Sequence, residues 1–287
     1  MIRTKIWIIA AFAFAALCIT ACNRNAPQRN VGQDAPQHNV GQDAPCNQYD
    51  YSTVKKIPNA VKDIDGNKYD AVKIGDQIWM ASNLRTTHYA DGTSIPLGTA
   101  YSYETPYRYA PGLGQTNEEN MANVPVYGYL YNWAAMMHGA SSSAANPSGI
   151  QGVCPNGWHV PSEAEWMQMI TYVGKYVCKG DSTYIAKALA TQTGWENWGE
   201  RDPDIYSCAV GYKQYSNNAT SFSAPPSGSY SNYYGGYHGF GAFADFWSST
   251  EDYDYEAWQC ELAFYGPFVD RGNNLKDCGF SVRCIKD

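Results

Sequence analysis

Residues 154–166 read CPNGWHVPSEAEW, and this stretch decides the fold class. Ser162 stands as a helix N-cap with Glu165 three residues on, the reciprocal pattern in which each side chain satisfies an otherwise orphaned backbone amide. Trp166, Met167, Met169, Ile170 and Val173 supply an apolar face, and Gly174 is the expected stop. Working outward, a second helix is expected near residues 183–191, with Ile185, Ala188 and Leu189 on one side. Beyond it the chain is Gly, Ser, Asn and Tyr, punctuated by short strand-like runs at 243–249, 257–264 and 280–285. Upstream, residues 60–80 carry two Gly-bearing turns between β-rich segments, which predicts a three-stranded meander. Two helices among many short strands is an α+β pattern.

The chain has 287 residues, of which 44% are hydrophobic and only 16% charged, so it forms a core and is neither disordered throughout nor fibrous. It holds 27 acidic against 20 basic residues, and that excludes the basic footprint a nucleic-acid surface needs. With 24 Tyr, 9 Trp and 9 Phe, the composition suits a neutral partner bound by stacking.

Arg3 and Lys5 precede an uncharged apolar run, residues 6–19, which reads as a secretory signal too short to span a bilayer. Its end, Ile19-Thr20-Ala21-Cys22, resembles the lipobox of bacterial lipoproteins, so cleavage before Cys22 and lipidation of that thiol are expected. The mature chain then carries 18 basic and 27 acidic residues, and attachment to the membrane rests on acyl chains rather than on a basic patch. Residues 26–34 (APQRNVGQD) and 35–43 (APQHNVGQD) repeat with a period of nine. One Val per copy cannot build a stacked core, so residues 22–57 read as a disordered tether with a contour of about 120 Å. Residues 58–287 read as one domain.

Five blocks in that domain carry a family resemblance. They are Asp65-Gly66-Asn67 through Val72, Ile74-Gly75, Gln77 and Trp79-Met80-Ala81 to Asn83-Leu84; Tyr127-Gly128 with Leu130-Tyr131-Asn132-Trp133; Cys154-Pro155 with Gly157-Trp158-His159-Val160-Pro161-Ser162, Glu165 and Trp166; Phe246 to Glu251; and Gly279 to Cys284. Together they resemble the Fibrobacter succinogenes major paralogous domain, found in secreted and lipid-anchored proteins and similar to the C-type-lectin-like superfamily. The resemblance implies a C-type-lectin-like fold: a twisted, mostly antiparallel sheet with two helices, long loops and disulfides. It also implies a bridge between Cys154 and Cys284 and another between Cys260 and Cys278. Cys178 and Cys208 are then the residual pair, and Cys46 in the tether is an odd thiol able to link two copies of the chain.

The same superfamily includes formylglycine-generating enzymes, which use a Cys pair near the C-terminus, but Cys278 and Cys284 have five residues between them, and Cys260 and Cys284 both have disulfide explanations. The five His, at 38, 88, 138, 159 and 238, show no metal-ligand spacing, and no catalytic fingerprint is present, so a non-enzymatic role is expected. The Glu-Pro-Asn, Gln-Pro-Asp and Trp-Asn-Asp triplets of calcium-dependent lectins are missing, so no cofactor is expected. Asp63, Asp65 and Asp70 read as turn chemistry. The acidic loop 251–256, with Asp252, Asp254 and Glu256, is the one weak calcium candidate. Two Tyr-rich loops remain as candidate ligand contacts: Tyr103 and Tyr107, among Tyr101 to Tyr109, and Tyr230, Tyr233, Tyr234, Tyr237 and Phe240. The Trp residues at 79, 133, 158, 166 and 247 read as core. The reading is therefore a lipid-anchored outer-membrane module of the cell envelope that binds a glycan or an envelope protein, the alternatives being a formylglycine-generating-type envelope enzyme or a structural subunit of a surface assembly.

Overall fold

The computed structural model describes residues 49–180, 184–198 and 208–287. The lipidation candidate Cys22, both repeats and Cys46 lie outside the described residues. Within the unit Asp43–Asp287, two sheets dominate. The meander forms as expected: β1 (Val54–Lys62), β2 (Lys68–Ile74) and β3 (Gln77–Met80) pair antiparallel in sequence order. Pro58 sits in β1, an edge strand, and the register breaks around it between Ile57 and Val61, where a residue without an N–H costs no ladder bond. β1 begins at Val54 and Tyr49 is buried, so the fold starts before the expected boundary at residue 58.

The sheet of β1, β2 and β3 is completed by β13 (Ile285–Lys286) and β6 (Trp158–His159). The second sheet runs β11 (Val269–Leu275), β10 (Glu256–Ala263), β9 (Phe243–Tyr253), β12 (Phe280–Ser281), β5 (Leu130–Tyr131) and β4 (Arg108–Tyr109). All its pairings are antiparallel except β12 with β9. The run expected as one strand at 280–285 is thus two, β12 in one sheet and β13 in the other. The molecule is mixed α and β, mostly sheet. A small hairpin, β7 (Ser229–Ser231) with β8 (Gly236–His238), forms a two-stranded sheet of its own.

The principal helix spans Glu163–Tyr172 and carries the expected capping box at Ser162 and Glu165. Gly174 does not end it: the chain continues through a π-turn, Val173–Val177, because Val173 and Val177 are both buried in the main core. The second helix is short, Ile185–Leu189.

The core is an aromatic box. Trp79 and Trp166 lie 4.6 Å apart, with Phe222 and Phe246 at 5.5–6.0 Å around them. Arg283 sits on this box, fully buried, its guanidinium 4.4 Å from the Phe222 centroid. Among the described residues no carboxylate bonds to it. Nε donates to Asn83 Oδ1 (2.7 Å), and the terminal nitrogens donate to the carbonyls of Met80, Phe222 and Ser223 at 2.9, 2.6 and 2.8 Å. Burial pulls its pKa down to about 9, and four oriented acceptors keep the cation tolerable. Asn83 passes the link on, donating to Tyr127 O (2.9 Å) and Ser281 Oγ (3.0 Å).

The Cys154–Cys284 disulfide forms and closes a separation of 130 residues, which in the chain-entropy account stabilises by about 4–5 kcal/mol. The other two expected bridges do not form. Cys260 is a free thiol in the main core, whereas Cys278 lies against Ser231 of the hairpin, its Sγ 3.7 Å from that hydroxyl. Cys208 is disulfide-bonded, but not to Cys178. Burial pushes the Cys260 thiol far up, which suppresses the thiolate that disulfide exchange requires.

Replacing Arg283 by Met keeps the volume but strands four acceptors in the core. Arg283→Met is expected to lower unfolding stability by about 3 kcal/mol or more in urea titration. A loss below about 1 kcal/mol would show that water reaches those acceptors.

Candidate ligand-binding surface

The two Tyr-rich loops, distant in sequence, meet in space. Tyr230 of β7 stacks on Tyr109 at 3.9 Å and 16°, and Tyr101 lies against its ring at 5.2 Å and 28°. Tyr237, opposite Tyr230 in the β7–β8 register, adds an edge contact at 5.0 Å. Tyr109 is fully buried and is the floor; Tyr101, Tyr230 and Tyr237 are half-buried and form the outer face. Tyr237 donates its hydroxyl to Asn117 Oδ1 (2.7 Å). Burial raises the Tyr230 pKa to about 12 and moves that of Tyr237 up as well, so both present neutral hydroxyls.

Backbone bonds build this meeting. Tyr230 and Gly279 exchange N–H···O bonds at 3.0 and 2.7 Å, which fixes β7 beside the chain entering β12. Gly279 is required there: a Cβ would fall 2.8 Å from Tyr109 Cδ2 and 3.1 Å from Tyr230 Cβ. Asn132 anchors the first loop through Nδ2 bonds to Ser102 O (2.9 Å) and Thr105 O (2.8 Å), and its Oδ1 accepts from the Tyr107 amide (2.9 Å).

The other candidates scatter around this centre. Tyr107 packs 6.4 Å from Tyr109. Phe240 turns away onto Tyr127 (4.6 Å), and Tyr234 stacks on His238 (4.0 Å). Tyr233 is exposed in the β7–β8 connection. Tyr103 leaves the stack and meets Tyr255 edge-on at 5.7 Å, beside a cleft of about 480 Å³ that Trp133 and Lys276 also line. Tyr255 and Trp133 were missed as site residues: one lies in a turn read for its acids, the other in a motif block read as core.

Two acidic side chains of the loop 251–256 and one of its carbonyls are used by the fold. Glu251 pairs with Lys276 (2.5 Å), Asp252 accepts from Asn273, and the Asp254 carbonyl accepts from Lys276 (2.8 Å). Among the described residues no three His, Cys, Asp or Glu side chains are grouped to hold a metal ion. Asp63 accepts from the Asn67 amide, which is turn chemistry, and from the Tyr69 hydroxyl, whereas Asp65 accepts from Thr86 and Thr87 and Asp70 from the Asn59 amide, so these two tie distant segments rather than a local turn. The five Trp side chains expected in the core are all buried. Three donate an indole N–H to a backbone carbonyl: Trp133 to Ser248, Trp166 to Trp247 and Trp247 to Tyr131.

A second cleft, of about 500 Å³, holds His159. Its Nε2 is 2.8 Å from Glu165 Oε1 and its Nδ1 is 2.7 Å from Asp287 Oδ1. Carboxylates at both nitrogens leave no lone pair for a substrate, so this is a structural clasp. Burial lowers the His159 pKa, but the hydrogen bonds to Glu165 and Asp287 outweigh it and the net direction is upward. The clasp therefore contributes fully below the unfolded value of about 6.5 and is lost as pH rises through the folded value. Melting temperature is expected to fall as pH rises through that window, and the fall should flatten in His159→Gln; equal pH slopes in the two proteins would count against the clasp.

Two sheets closed by a disulfide and carrying a tyrosine face on loops define a mixed α and β domain. The sequence pattern of the Fibrobacter succinogenes major domain matches residues 72–286, and the chain belongs to that family. No curated protein and no solved structure matches it.

Proposed function

We propose that the mature protein is a lipid-anchored, non-catalytic binding module of the cell envelope, with a C-type-lectin-like fold, that holds a glycan on its tyrosine face. The observation that carries this reading is the Tyr101–Tyr230–Tyr237 surface over Tyr109, assembled from two separate loops. Flat apolar rings with hydroxyls at their edges match a sugar ring, whose C–H face packs on the ring while its hydroxyls find polar partners. The rings are already packed against each other, so little side-chain entropy is lost on binding. Binding of this kind needs no calcium. The signal-like residues 1–21 and Cys22 support export and acylation, and the polar repeats suit a tether that lets the domain search.

The test is a glycan array probed with and without a chelator, followed by titration of the hits. Binding should survive the chelator, and Tyr230→Ala should weaken it by about tenfold or more, the scale of one lost stacking contact. In cells, Cys22→Ser should abolish incorporation of labelled fatty acid. Co-purification of an envelope protein with no glycan bound, or turnover of a Cys-bearing peptide, would overturn the reading.

A further inference from the structure

The cleft beside the tyrosine face differs from it in charge. Its walls are Tyr103, Trp133 and Tyr255, and Glu104, Asp254 and Lys276 also line it. Lys276 already shows what the walls accept: its ammonium lies 4.6 Å from the Trp133 ring centroid and donates to Glu251 Oε1 and Asp254 O. That positive charge is matched by Glu251. His138 also lines the cleft, with Asp91 Oδ2 at 3.8 Å from its Nε2. Next in the chain, Asp277 is 3% exposed, and among the described residues its Oδ1 has no hydrogen-bond partner. A buried carboxylate oxygen without a donor is costly, and a cation brought near it relieves that cost. The segment 276–279 is shared between cleft and face: Lys276 lines one, and Gly279 underlies Tyr109 and Tyr230 in the other. The charge of Asp277 reaches Tyr103, whose pKa rises from burial first and then from Asp277.

Resting on the reading that the tyrosine face binds a glycan, we propose that the cleft selects glycans bearing unacetylated amino sugars, taking the ammonium group against the cleft-facing sides of Tyr103 and Tyr255 under the field of Asp277, Asp254 and Glu104. Aromatic faces attract cations more than hydroxyls, and the surrounding carboxylates add attraction that an acetamide or hydroxyl does not feel. Uronate or sulfated glycans meet the same field as repulsion.

The test uses the full-length protein in detergent and three β-1,4-linked hexasaccharides that differ only at C2: glucosamine, N-acetylglucosamine and glucose. Titration calorimetry below the amine pKa should show glucosamine hexamer binding about tenfold tighter than the other two, with the preference shrinking as salt rises. Asp277→Asn and, separately, Asp254→Asn on the exposed turn should each reduce that preference while leaving the glucose hexamer affinity in place. Melting curves verify that each variant folds, and the exposed Asp254 keeps the test decisive if Asp277→Asn does not. Tyr230→Ala should weaken all three ligands. Equal affinity for the three overturns the ammonium selection and leaves the tyrosine face standing; no binding of any hexamer overturns both.

Discussion

A buried guanidinium at the crossing of two sheets holds this molecule together. Between Ser281 and Ile285 the chain leaves one sheet and enters the other, and Arg283 is the residue in the crossing. Its donors reach Met80 at the end of β3 in the first sheet, Asn83 beyond it, and Phe222 and Ser223 in the long connection before the hairpin. The neighbouring Cys284 adds a covalent tie to Cys154, just before the helix. A charge this deep is tolerated because four fixed acceptors and an aromatic face surround it, and the arrangement specifies one packing of the aromatic box rather than several.

Much of this was readable in the sequence. The capping box at Ser162, the meander over residues 60–80 and the buried tryptophans follow from local spacing and side-chain chemistry, which need no knowledge of distant contacts. The Cys154–Cys284 bridge followed from the family resemblance. β11 was not read, because Val269-Asp270-Arg271-Gly272-Asn273-Asn274-Leu275 is a polar edge strand with little apolar alternation. The extent of the long helix was misjudged at Gly174, where burial of Val173 and Val177 overrides the glycine. The two remaining cysteine pairings failed because pairing depends on where Cα atoms come to rest, and sequence separation does not contain that.

The candidate site divides in the same way. Each tyrosine loop was visible as a cluster of rings among small polar residues. Their meeting was not, since it rests on the Tyr230–Gly279 backbone pair and on Asn132, which holds the first loop from inside a family motif. The motif residues thus build the scaffold and set the loops, and the rings that face solvent lie mostly outside the motif blocks. A family with shared blocks can in this way carry different ligand surfaces on one frame.

The division of labour between scaffold and surface is open to one direct measurement: aromatic NMR of the protein during titration with a bound oligosaccharide. The account predicts that ring signals of Tyr101, Tyr230 and Tyr237 shift with saturating dependence while the indole N–H signals of Trp79, Trp166 and Trp247 stay in place. Shifts centred on those indoles, with the three tyrosines unmoved, would contradict it.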